Sequence, residues 1–187
     1  MIALGAALLS VGLFAPQDLG VSAEVAREWR VRALAMGDEP WPEDVTELEW
    51  EERCLLLDAA RRADPASLDE RAKGFVMSSL SHDHSNVRAL AIVAARRLDH
   101  VLPPGRAAVL ARDLLPEVRL ELATSLFEEC DPELRVWSHG EPSATAIERA
   151  ADARAVLLEL ALDPDSHVRA RATAGLLSLG AEQYRAA

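Results

Sequence analysis

Three times the dipeptide Val-Arg opens an apolar run just after a polar turn, at Val87-Arg88, Val118-Arg119 and Val168-Arg169. A repeat constrains the chain more than any single residue, because one supersecondary unit must then stack on copies of itself. With the copies aligned on the Val, Asp113 and Asp163 lie five residues before it, and His82 takes that place in the first copy. Apolar or small residues recur four, five and eight positions beyond: Ala91, Ile92 and Ala95; Leu122, Ala123 and Leu126; Ala172, Thr173 and Leu176. That spacing lines one stripe of a helix. The Asp or Ser ahead of each Val can accept free N–H groups at the helix start. The Arg, one step round from the buried Val, can reach the Asp of a neighbouring repeat.

The Asp-x-x-x-x-Val-Arg signature, present as Asp113 to Arg119 and Asp163 to Arg169, resembles the HEAT repeat family, in particular the short bacterial repeats of the phycobilisome lyase type. The resemblance covers roughly residues 65–180 and implies an all-α superhelix of about four helical hairpins. It implies little about activity, because fold does not dictate function. His82 departs from the signature, which puts the first copy's ladder contact in question.

No alternating strand pattern bounded by hairpin turns is present, so an all-α fold is expected. The spacing predicts helices over Ala23 to Met36, Glu43 to Ala63, Pro65 to about Leu80, Ser85 to Leu98, Pro104 to Leu114, Pro116 to Glu129, Ala144 to Leu162 and Asp165 to Leu179, the last ended by Gly180. These group into an N-terminal hairpin with an acidic segment (24–64) and HEAT-like repeats over 65–98, 103–130 and 143–180, within a repeat region reaching 187. Val87 to Val118 is 31 residues and Val118 to Val168 is 50; the excess falls in an inserted loop, 131–142, and the helix after it. Insertions in solenoids bulge from one face, often the binding face. The loop carries Trp137 and His139, which either fold back over the stack or anchor a partner.

The first fifteen residues, MIALGAALLSVGLFA, carry no charged side chain and precede Pro16. The run is short for a membrane span and suits a signal-peptide core, with small residues at Val21-Ser22-Ala23 as a cleavage site. Residues 1–23 therefore read as a signal peptide. Export to a periplasmic or extracellular location is expected, with no membrane span in the mature chain; a cytoplasmic protein with a buried N-terminal helix is the alternative.

Net charge is -11, and cleavage would remove one acid and no base. Nucleic acid demands clustered Lys and Arg against phosphate, so it is not an expected partner. Between Asp38 and Glu52 lie eight carboxylates, no base, and Trp41 and Trp50. This is either a solvated helix start or an acidic-aromatic patch for a basic partner. His82-Asp83-His84 is the one cluster with metal-ligand character, and His100 or His167 could add a third ligand. No phosphate loop, nucleophile elbow or His-Glu-x-x-His is present, so no enzyme, catalytic residue or cofactor is expected. Cys54 and Cys130, on non-adjacent helices, are expected to be separate thiols. The last helix has no full capping helix after it, so self-association through the C-terminal repeat is expected. The expectation is a non-catalytic interaction or scaffold module with an unidentified protein partner; the alternative is a metal-binding or maturation subunit using the His82/His84 turn.

Overall fold

The computed structural model describes residues 22–38, 41–42, 45, 48–98, 102, 104–130 and 144–185, with only the backbone at 23, 104, 129–130, 144–150 and 180–185. Among the described residues the protein is all-α, with eight helices and no strand: α1 Ala23–Met36, α2 Trp50–Arg62, α3 Glu70–Ser79, α4 Ser85–Arg97, α5 Pro104–Leu110, α6 Pro116–Cys130, α7 Ala144–Leu160 and α8 Ser166–Arg185. The helices pair as hairpins, consistent with a helical repeat of the solenoid type.

The chain forms two compact units, 1–101 and 102–187. In the first, α2 packs on α1 and α4, and α3 packs on α4. In the second, α6 and α8 form the most extensive helix pair, α8 also lies against α7, and α5 meets α6 and α7. Each unit buries one apolar stripe per helix. Val87, Val118 and Val168 are fully buried, as are Ala91, Ile92 and Ala95, and Leu122 and Ala123. The last copy departs from the stripe, for Thr173 is exposed while Gly175 is buried. A Cβ on Gly175 would lie 2.9 Å from Leu157 Cδ1 and 3.5 Å from the Phe127 Cα. A side chain there would require Leu157 to shift.

Helix starts follow local capping chemistry. Ser22 Oγ accepts from the Val25 N–H (3.3 Å) and Asp69 Oδ1 from the Ala72 N–H (2.8 Å). The α2 start carries Glu51 and Glu52 and its end Arg61 and Arg62, each sign favoured by the helix dipole. Gly37, at φ 76°, closes α1 in the left-handed conformation that glycine adopts without cost.

Several helix bounds differ from those expected. α2 begins at Trp50, not Glu43; Trp41, Pro42, Val45, Leu48 and Glu49 are not helical. Like charges at four-residue steps disfavour a helix there, and Arg53 holds the Val45 and Leu48 carbonyls in a turn (2.6 and 3.2 Å). Pro65–Ser67 is a separate 3-10 turn, since Asp64 caps it and Asp69 caps α3 anew. α5 stops at Leu110, short of the expected Leu114. α8 runs through Gly180 to Arg185. Glycine inside a helix costs only about 1 kcal/mol relative to alanine, so it need not end one.

Candidate functional site

The repeat signature resolves into one device, built at the start of every second helix. α2, α4, α6 and α8 each carry an arginine as their fourth residue: Arg53, Arg88, Arg119 and Arg169. Each guanidinium turns back onto carbonyls of the preceding turn. Arg88 Nη1 donates to the His82 and Asp83 oxygens (2.7 Å each), Arg119 Nη1 to Asp113 O (2.6 Å), and Arg169 Nη1 to Asp163 O and Pro164 O (2.8 and 2.7 Å). Arg53 does the same with Leu48 and Val45. Sequence reading missed Arg53, because Glu52 stands where the other copies have Val.

The residue five before the Val makes the complementary contact. Asp113 Oδ1 accepts from the Leu115 N–H (3.1 Å) and Asp163 Oδ1 from the Asp165 N–H (2.8 Å), closing the turn two residues on. His82 imitates them: its Nδ1 accepts from the His84 N–H (3.0 Å). An imidazole can accept only when that nitrogen carries no proton. Burial, then the Arg53 charge, hold the His82 pKa below its ordinary value, which keeps the acceptor available.

Between repeats the expected ladder is present in the second unit. Arg119 Nε and Nη2 meet the Asp163 carboxylate at 2.6 and 2.9 Å, a bidentate pair with side chains 11% and 5% exposed. The Arg119 hydrogen bond holds the Asp163 pKa below the usual carboxylate range against the opposing effect of burial. Arg112 and Glu159 add an exposed pair at 2.7 Å. These two contacts set the α5–α6 and α7–α8 turns side by side along one edge.

Beside the exposed Arg112–Glu159 pair, that edge also holds apolar side chains in solvent. Leu114 and Leu162, one in each turn, are 92% and 85% exposed. Val109, Leu115 and Leu158 are also exposed. On α7 the exposed Ala151, Ala155 and Leu158 recur at steps of four and three on one side of the helix, and Leu162 follows in the turn after it. Amphipathic pattern alone did not reveal this edge, since a leucine in a turn reads equally as a core contact.

Trp41 and Trp50 both make ring contacts within the first unit. Trp41 is only 9% exposed and meets Phe75 with ring centroids 6.4 Å apart, so it is not an exposed anchor. Arg53 lies over the same Phe75 ring at 5.7 Å. Trp50, half-buried, stacks on the His84 ring at 4.1 Å and 7°. Trp137 and His139 lie outside the described residues, as do the loop 131–142, His100 and the N-terminal apolar segment.

His84 Nδ1 is buried with no hydrogen-bond partner among the described residues. Among those residues His82 and His84 gain no third ligand, and no cluster of three His, Cys, Asp or Glu side chains forms. His167 is exposed. Cys54 is a half-buried free thiol whose pKa is raised by burial and by the Glu51 charge. Among the described residues no helix is long and apolar enough to cross a membrane. Comparison of the chain with family models, curated proteins and solved structures gave no match.

Proposed function

We propose that this chain is a non-catalytic protein-interaction module of HEAT-like repeats, exported from the cell that makes it. The observation that carries the reading is the apolar edge of the second unit, where Leu114 and Leu162 stand 92% and 85% exposed on adjacent turns. Turn leucines held this far into water contribute almost nothing to the fold, and several large apolar side chains exposed in one unit mark a surface that a partner covers. The rigid Arg119–Asp163 clamp beneath supports the same reading, because it fixes the spacing of the two turns without occupying them. A net charge of -11 favours a protein partner over nucleic acid.

The test is capture of the tagged chain with covalent cross-linking, followed by mass spectrometry. A bound protein should cross-link through residues flanking 114 and 162, and Leu114→Glu with Leu162→Glu should remove it while the thermal transition stays unchanged. His82→Asn should leave capture intact. Capture that survives the leucine changes but fails with His82→Asn would replace this reading with chemistry at the histidine turn.

A further inference from the structure

The contact between α6 and α8 contains three parts. Arg171 Nε donates to Thr124 Oγ1 (3.2 Å). The Arg171 guanidinium lies 4.5 Å over the Phe127 ring. The Arg119–Asp163 pair clamps the start of one helix to the turn before the other. In the repeat register α8 carries its own copy of the α6 half. Arg169 stands in the place of Arg119, Ala174 of Thr124 and Leu177 of Phe127.

Among the described residues α8 packs mainly on α6 and α7. Leu177 is 70% exposed, whereas Phe127 is partly covered by Arg171. Arg169 uses Nη1 on carbonyls of its own turn. Among the described residues Arg169 acts on Asp163 through its charge, but the bidentate carboxylate pair belongs to Arg119.

The first arginine-bearing helix, α2, offers the matching half. Leu55 follows Arg53 by two residues, as Arg171 follows Arg169, and it is half-exposed. Glu49, Glu51 and Glu52 stand exposed at the start of the same helix, part of a fifteen-residue stretch with eight carboxylates and no base. An arginine and an exposed leucine on α8 thus find complements, in charge and in apolar surface, in the acids and the leucine of α2.

We propose that a second copy of this chain docks head to tail, α8 of one molecule on α2 of the next, with Leu177 against Leu55 and Arg169 against the acids that begin α2. The contact continues the α6–α8 interface across the molecular boundary. Because it joins unlike surfaces, it builds open chains unless a rotation closes a ring. The proposal rests on the interaction-module reading but uses a surface apart from the Leu114/Leu162 edge.

Sedimentation of the full-length protein across a concentration series tests it. The expected result is a mass that rises with concentration. Leu177→Asp at the tail and Glu51→Arg at the head should each weaken association about tenfold or more, as the loss of a central contact does, with helical circular dichroism unchanged. Mixed in equal amounts, those two variants should give a one-to-one dimer and nothing larger, since each retains one intact surface. Arg169→Glu combined with Glu51→Arg in one chain should restore assembly by exchanging the charges. A protein that stays monomeric at every concentration overturns the proposal, as does assembly that neither variant weakens, or a mixture that yields no dimer. A monomer that still captures a foreign protein through Leu114 and Leu162 would end this inference and leave the proposed function standing.

Discussion

The turn before α8 and the turn before α4 occupy the same place in the repeat and are closed by the same bond, yet they hold opposite electrostatics. Before α8, Asp163 accepts the Asp165 N–H and a bidentate pair from Arg119. Before α4, His82 accepts the His84 N–H, and burial, then the Arg53 charge, disfavour its protonated form. The comparison teaches that the turn needs an acceptor at that position and not a charge. The charge is a separate property, used to clamp neighbouring repeats in the second unit and withheld in the first. There, aromatic contacts stand in its place: Trp50 on His84, and Arg53 with Trp41 on Phe75.

Removing the charge while keeping the acceptor breaks the comparison most sharply. Asp163→Asn retains a turn-closing oxygen but leaves Arg119 buried without its counter-ion. It should lower the unfolding free energy by about 3 kcal/mol, read by urea denaturation, with hydrogen exchange in α6 and α8 rising most. A loss below about 1 kcal/mol would mean that the pair is dispensable.

Trp50→Ala removes the ring that covers His84. It should cost about 2 kcal/mol, combining lost area and a lost stacked pair, and the loosening should centre on α2 and α4. An equal loosening in α6 and α8 would show that the two units do not respond separately.

His82→Asp converts the first turn into the second. It keeps the acceptor, places a carboxylate opposite Arg53, and should stabilise by about 1 kcal/mol, a rise in Tm of about 2–4 °C for a chain of this size. Destabilisation instead would show that the apolar surroundings of His82 outweigh the new charge pair.

The smallest effect is the pH dependence. A His pKa lowered on folding means that the unfolded chain binds more protons, so the stabilisation is present above the ordinary value of about 6.5 and is lost as pH falls below it. Asp163, also lowered, contributes above about 3.8 and loses its contribution in more acid solution. Stability of the wild-type protein should therefore fall in two windows. His82→Asp should erase the upper one, and Asp163→Asn should shrink the lower one, to which Glu28 and Asp69 also contribute. An upper window that persists in His82→Asp would show that His82 does not carry it.

Much of this was legible in the chain. The buried Val, the capping Asp and the Arg that reaches the next repeat are a local pattern, repeated, and the Arg119–Asp163 pair follows from it directly. Arg53 was hidden because its neighbour is Glu52, so the fourth copy of the device shows only in the backbone. The acidic segment was misplaced on a helix because charge pattern alone does not reveal that Arg53 grips the carbonyls before Trp50. Gly180 looked like a terminator because glycine favours helix ends; with no left-handed turn required there, it sits inside α8. Trp41 looked available for a partner until Phe75, 34 residues away in sequence, was seen beside it.

By itself the sequence determined the all-α class, the hairpin period, the buried stripe and the chemistry of each turn, since these depend on residues within one or two helical turns of each other. Only the tertiary structure decided which apolar residues stay in water. Leu114, Leu162 and Leu177 are chemically the same as the buried Leu122 and Leu157, and what separates them is whether another helix arrives to cover them.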